Sequence, residues 1–145
     1  LGIFIIINWM QKMINDNILK IASNTNNYGL KDIFTHKSIL KNSKCGDKIH
    51  VELIVKKNKI SSMRYETESC IFCQASASIL AKSIKLFSVN DIKENINYIK
   101  DCIKMKKNFL PKKLKIFKEI VHYKNINRID CIMLPFNALI KALKI

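Results

Sequence analysis

Between residues 49 and 67 apolar and polar side chains alternate. Ile49, Val51, Leu53 and Val55 share one face of an extended segment, with His50, Glu52 and Lys56 on the other. This period of two marks a strand with one buried face. Lys57-Asn58 can turn the chain, and Lys59 to Thr67 then returns as a second strand, making an antiparallel hairpin. Past the hairpin the period lengthens. Cys73, Ala77, Leu80, Ile84 and Phe87 recur at steps of four and three, the stripe of a helix over 71–86. Within it Ala75, Ser76, Ala77 and Ser78 are small enough to let another backbone approach. Ile92, Ile96, Ile99 and Ile103 line a second helix over 89–106, opened by a capping box of Ser88 and Asp91. Pro111 interrupts the pattern. A third helix is predicted over Lys112–Tyr123, and a last one follows Leu134, with Pro135 in its first turn and Phe136, Leu139, Ile140 and Leu143 on its buried face. Upstream, residues 11–22 predict a short helix with Ile14, Ile18, Leu19 and Ala22 on one side. The Asn-rich stretch from Ser23 to Gly29 reads as a turn, and Phe34 to Leu40 as a short extended segment. Helix, short sheet, then several helices is the order of an α+β fold, with helices packed on one face of a small antiparallel sheet.

Composition narrows this picture. A chain of 145 residues with 48% hydrophobic side chains can bury a single core and is too apolar for a disordered segment. Three glycines and two prolines leave little material for flexible linkers. The apolar run Leu1-Gly2-Ile3-Phe4-Ile5-Ile6-Ile7 falls far short of the roughly 20 residues that span a bilayer. It also lacks the basic start and small-residue cleavage site of a signal peptide. Residues 1–9 are therefore expected to be a non-native or disordered extension, with Met10 or Met13 as the true start and one domain over 10–145. The expected location is the cytoplasm. The formal net charge of +15 comes from 26 basic and 11 acidic residues. Arginine occurs only at 64 and 128, whereas phosphate and base recognition favours arginine forks. Heavy use of Lys, Ile and Asn is the pattern of an AT-rich coding sequence. Neither nucleic acid nor membrane is expected as a partner, while the positive field would speed encounter with an acidic protein.

Five cysteines in a reducing compartment point to metal or thiol chemistry before structural disulfides. Cys45-Gly46-Asp47 lies just before the hairpin and Cys70 just after it, so antiparallel pairing returns the two cysteines to the same end of the sheet. Cys70 opens a helix, where free N–H groups and the helix dipole lower a thiol's pKa. Cys131 is expected in the loop before the last helix, with Arg128 one turn earlier as a thiolate stabiliser. Thiolates are soft donors, and three of them with the Asp47 carboxylate suit zinc or an iron–sulfur cluster. Cys73 makes a C-x-x-C pair with Cys70, a spacing that serves zinc ligation or dithiol chemistry. It also begins the apolar stripe, which favours a core thiol. A thiol oxidoreductase built on that pair would need a βαβ setting, which the order of elements does not offer. Cys102 reads as packing. His36, His50 and His122 have the chemistry of ligands but are expected to be solvated surface residues.

These segments, taken in order, resemble the NifU/IscU-like scaffold proteins of iron–sulfur cluster assembly, and most nearly the SufU-type and alphaproteobacterial NifU-like branch. Cys45-Gly46-Asp47 before an alternating strand resembles the family's C-G-D segment. Ser69-Cys70-Ile71-Phe72-Cys73-Gln74-Ala75-Ser76-Ala77-Ser78 resembles G-C-x-x-C-x-A-S-A-S. Arg128-Ile129-Asp130-Cys131 with Leu134-Pro135-Phe136 resembles R-x-x-C-x-L-P-[WF], and Asn24 to Gly29 is a degraded N-P-R-N-x-G. The resemblance spans about residues 10–145, and the long step from Cys70 to Cys131 matches the SufU-like branch. It implies a SufE/NifU-like fold and a site of Cys45, Asp47, Cys70 and Cys131 holding a transient iron–sulfur cluster or a zinc ion. It implies sulfur arriving as a persulfide from a cysteine desulfurase, with Cys45 as acceptor, and clusters passing to apo-proteins. A non-enzymatic scaffold is implied, or a zinc-dependent sulfurtransferase if the SufU likeness governs; a homodimer stays open. Three departures stand out. Ser69 replaces the usual glycine, Asp130 stands where IscU proper has a histidine ligand, and the Pro and Arg of the N-terminal segment are missing.

Overall fold

In the computed structural model, which describes residues 2–5 and 16–145, the hairpin forms as its alternation demands. Strand β2 (Lys48–Lys56) pairs antiparallel with β3 (Lys59–Glu68), and β1 (His36–Lys41) adds to the other edge of β2, giving the order β1-β2-β3. The register sets Val51 opposite Tyr65, Leu53 opposite Met63 and Ile49 opposite Thr67. Ile49, Val51, Leu53, Met63 and Tyr65 are all buried on the inner face. The two-residue turn places Lys57 at φ 58°, and a register shift at Ile54/Val55 lets the last pairs close onto it.

The helices cover the inner face. Helix α1 (Asp16–Ala22) buries Ile18 and packs Ile21 and Ala22 against the core, but Leu19, expected beside them, is exposed. Residues 11–15, including Ile14, and much of the expected N-terminal extension lie outside the described residues; residues 2–5 are helical and exposed. Helix α2 (Ile71–Ser83) is buried nearly all round, and a 3₁₀ turn, Ile84–Leu86, continues it. Its small residues do admit a neighbour. Ser76 Oγ donates to the Ile132 carbonyl of the last helix at 2.6 Å, and Ser78 Oγ to the Asn24 carbonyl at 3.2 Å. Helix α3 (Ile92–Ile103) buries its isoleucine stripe. Its capping box closes in both directions, Ser88 N donating to Asp91 Oδ1 at 2.8 Å and Asp91 N to Ser88 Oγ at 3.2 Å.

Several expected boundaries move, and the helix expected over 89–106 runs only Ile92–Ile103. Over 112–123 the chain forms a 3₁₀ helix, Lys112–Phe117, and a second 3₁₀ helix, Tyr123–Arg128, follows. Leu114, Phe117 and Ile120, all buried, recur at steps of three, which suits three residues per turn rather than 3.6. The last helix, α4, runs Ile129–Leu143 and so begins before Leu134, placing Pro135 inside it. The proline ring withholds the N–H that would reach the Cys131 carbonyl. Surrounding packing outweighs that loss: Cys131 to Phe136 are all buried. Phe136, at the centre, packs its ring 5.5 Å from that of Phe117.

Outside the sheet, Arg64 gathers the turn over 26–29. It donates to the carbonyls of Asn26, Tyr28 and Gly29 at 2.7–3.0 Å. Glu52, buried on the face expected to be solvated, accepts from the N–H groups of Lys31 and Asp32 at 2.8 and 3.2 Å. Strapped in this way, the segment lies along the free edge of β3, where Gly29 N donates to the Tyr65 carbonyl at 2.8 Å. That edge is thereby covered, while at the β1 edge Lys141 Nζ of α4 donates to the Ile39 carbonyl at 2.8 Å.

Candidate metal centre

Three chain segments meet at one end of the sheet. The β1–β2 loop carries Cys45, Gly46 and Asp47. Its turn is held by Gly46 N donating to the Asn42 carbonyl and Asn42 N to the Asp47 carbonyl, both 2.8 Å. Gly46 adopts φ 75°, a conformation glycine reaches without the penalty a Cβ brings. The exit of β3 carries Cys70, at the N-cap of α2 in extended conformation. The third segment is the first turn of α4, which carries Cys131. That cysteine was expected in a loop; it sits within the helix, which starts at Ile129.

Ligand atoms of Cys45, Asp47 and Cys131 all lie within 4.8 Å of one another, with the Cys45 and Cys131 sulfurs 3.9 Å apart. Cys70 falls outside that tight trio but adjoins it. Its N–H donates to Asp47 Oδ1 at 3.3 Å, and its thiol is among the groups acting on Cys131. Cys45 is exposed, Cys70 half-buried and Cys131 buried. The other Asp47 oxygen, Oδ2, is buried and has no hydrogen-bond partner. A buried carboxylate oxygen without a partner carries a desolvation cost of about 1–3 kcal/mol. A cation would remove that cost, so the donor set fits a thiophilic metal with one oxygen ligand.

Burial pushes the Cys131 thiol well above its ordinary value, and the neighbouring thiols of Cys70 and Cys45 push it further. The helix N-terminus favours the thiolate by about 0.3–1 kcal/mol, less than one unit of pKa, so burial and crowding win. Loading a metal here therefore displaces a proton. The guanidinium carbon of Arg128 lies 5.8 Å from the centroid of the Phe72 ring. Asp130 turns outward and pairs with Lys44 Nζ at 3.6 Å, so the carboxylate inside the site is Asp47.

The remaining candidates separate. Cys73 is fully buried, and desolvation raises its pKa to about 12 despite its hydrogen-bonding contacts with Ser69 and Thr67. Cys102 is buried away from the site against the Phe109 carbonyl. His36 bonds to its neighbour Thr35 at 2.8 Å, and His122 Nδ1 accepts from Lys124 N at 3.0 Å. None of the three histidines belongs to the trio. Thr67 was not singled out by the sequence, yet its hydroxyl touches Lys48, Ser69 and Cys73. The available signal was a hydroxyl at an inward strand position where alternation calls for an apolar side chain.

A small antiparallel sheet backed by helices, with thiols and a carboxylate converging at one end, defines a class of α+β protein whose donor set could hold a thiophilic metal. The chain belongs to the NifU-like N-terminal domain family, whose model matches residues 13–144. It is 31% identical over 135 residues to a Thermotoga maritima protein named iron–sulfur cluster assembly scaffold protein IscU, covering 91% of this chain and 93% of that one. It is 29% identical over 122 residues to an uncharacterized protein of Borreliella burgdorferi, covering 84% of each. Among solved structures, the N-terminal NifU-like protein of Brucella abortus superposes with a TM-score of 0.83 at 17% identity, over 93% of this chain and 94% of that one. A Fervidobacterium islandicum protein described as a cluster-assembly scaffold of the SUF system gives 0.81 at 21% identity, over 92% of this chain and 98% of that one. These two likenesses establish the fold. No helix among the described residues is long and apolar enough to cross a membrane.

Proposed function

We propose that the chain is an iron–sulfur cluster assembly scaffold that accepts sulfur and iron at Cys45, Asp47, Cys70 and Cys131 and passes the product to apo-proteins. The observation carrying this reading is the convergence of Cys45, Asp47 and Cys131 within 4.8 Å around a buried carboxylate oxygen that has no partner. The family and the Thermotoga relative's name agree with it.

Exposure divides the labour among the thiols. Cys45 is the exposed one, so it is the group a cysteine desulfurase can reach. Its thiolate attacks the outer sulfur of the donor's persulfide. The donor's S–S bond breaks, the donor cysteine leaves as a thiolate, and a new S–S bond forms on Cys45, with no net oxidation. Buried Cys131 and half-buried Cys70 then hold the growing iron–sulfur product from inside. Because Cys45 is exposed on the β1–β2 loop, the finished cluster has a way out.

Anaerobic reconstitution with iron, a cysteine desulfurase and cysteine tests this. A brown, sulfide-containing chromophore that transfers to an apo-ferredoxin is the expected result. A colourless protein that retains only zinc would refute cluster assembly. The same donor set also suits tetrahedral zinc, and exposed Cys45 beside it favours a second reading, a zinc-bound sulfur acceptor. In that case the colourless zinc form still takes a persulfide from the desulfurase, detected by mass as one added sulfur on Cys45.

A further inference from the structure

Resting on the metal-binding reading above, we infer that Thr67 is a positioning residue that fixes Asp47 and Cys70 for the metal, and that Cys73 serves as its buried hydrogen-bond partner rather than as a ligand. Thr67 faces the core near the end of β3, opposite Ile49. Its Oγ1 lies 2.7 Å from the Lys48 carbonyl, 2.8 Å from Ser69 Oγ and 4.0 Å from Cys73 Sγ.

The protons decide what each contact is. The Lys48 carbonyl can only accept, so it takes the single hydroxyl proton of Thr67. Thr67 Oγ1 shares that proton with Ser69 Oγ at 2.8 Å, and its lone pairs are left to the Cys73 thiol. One side chain thus joins the residue after Asp47 to the residue before Cys70. A second link runs directly between the two ligands, from Cys70 N to Asp47 Oδ1 at 3.3 Å. Ser69, which stands where the related segment has glycine, is held from its other side by Gln74 Nε2 donating to its carbonyl at 2.9 Å. Its hydroxyl does work at that position that glycine cannot. Cys73 is fully buried and lies outside the ligand trio, and its thiol proton is engaged with Thr67. The elevated pKa of Cys73 agrees with a thiol kept protonated. The C-x-x-C pair is therefore split between a ligand, Cys70, and a support, Cys73.

Outer partners of metal ligands contribute roughly 10–100-fold to affinity. The test titrates cobalt(II) into apo-protein anaerobically and reads affinity together with the sulfur-to-cobalt charge-transfer band. Cys73→Ser keeps a donor to Thr67, so it should retain the full band and an affinity within about twofold of wild type. Thr67→Ser should do the same, and Thr67→Val, isosteric but without the hydroxyl, should bind about tenfold more weakly. Loss of about a third of the band in Cys73→Ser would make Cys73 a ligand and overturn the inference. Equal affinities for Thr67→Val and wild type would also overturn it. If Thr67→Val does not fold, Cys73→Ser decides alone. Wild-type protein with no charge-transfer band at all would instead defeat the metal-binding reading itself.

Discussion

At the scale of single residues, the centre trades stability for a task. Asp47 keeps one buried oxygen without a partner and three thiols crowd beside it. Asp47→Ala should therefore weaken metal binding while leaving the apo-protein within about 1 kcal/mol of wild type, or more stable, in urea unfolding. A loss above about 2 kcal/mol would show that Asp47 is structural. Removing either of two other proposed ligands, by Cys70→Ala or Cys131→Ala, should abolish stoichiometric metal binding, and full retention by either would remove that residue from the site. The raised thiols also set a pH dependence. An unfolded thiol titrates near 9, whereas folded Cys73 holds its proton to about 12 and Cys131 also holds its proton above that ordinary value. The unfolded chain therefore gives up protons first as pH rises. Apo-protein stability should be intact below about 9 and fall between there and about 12, read as a lower urea midpoint at pH 10 than at pH 7. Metal affinity should move the other way and rise with pH, because loading expels protons. The nearness of Cys45, Asp47 and Cys70 was legible because they flank the predicted hairpin, whereas Cys131 was expected in a loop and lies inside α4. The state of Cys131 was not legible: a helix N-terminus argues for a low pKa, and only the packed structure shows burial and two neighbouring thiols outweighing it.

At the scale of elements, periodicity predicted what it encodes and missed what packing decides. The β2–β3 hairpin and the stripes of α2 and α3 formed as read. The capping box of α3 closed between Ser88 and Asp91, so Ser88→Ala should cost about 1 kcal/mol, measured by thermal or urea unfolding. Partial burial pushes the Asp91 carboxyl up, but Lys113 and the Ser88 donors outweigh it and hold it below its ordinary range. That contribution is present above an unfolded carboxyl's pKa and fades as pH falls through the folded one. The hairpin turn sets Lys57 at φ 58°, where a Cβ costs roughly 1–2 kcal/mol and glycine would forfeit roughly 0.5–1 in chain entropy. Lys57→Gly should therefore stabilise the protein by about 0.5–1 kcal/mol. The start of α4 escaped the sequence because Pro135 reads as a first-turn residue. Its interior place depends on the buried contacts around Cys131 to Phe136. The steps of three in Leu114, Phe117 and Ile120 were visible, but three-residue spacing is shared by α and 3₁₀ stripes, and tertiary contacts chose the tighter one.

At the scale of the whole molecule, the topology makes the site. Antiparallel pairing returns β3 to the end where β2 began, and α4 packs across the sheet with its N-terminus at that same end. Residues distant in sequence become neighbours without any long loop. The α+β class was readable because the change from period two to longer spacing is abrupt after Thr67. The strapping of the N-terminal turn by Arg64 and Glu52 was not, because a charged residue on an outward strand position ordinarily faces water. The strap uses one of only two arginines in a chain whose net charge is +15.

The central claim is that the three converging segments form one metal centre. Metal and sulfide content of protein purified without oxygen, compared between wild type and Cys45→Ala, tests it most directly. About one equivalent of zinc, or an iron–sulfur cluster, is expected per wild-type centre and neither in Cys45→Ala. Wild-type protein without bound metal, or Cys45→Ala with an undiminished complement, would contradict it.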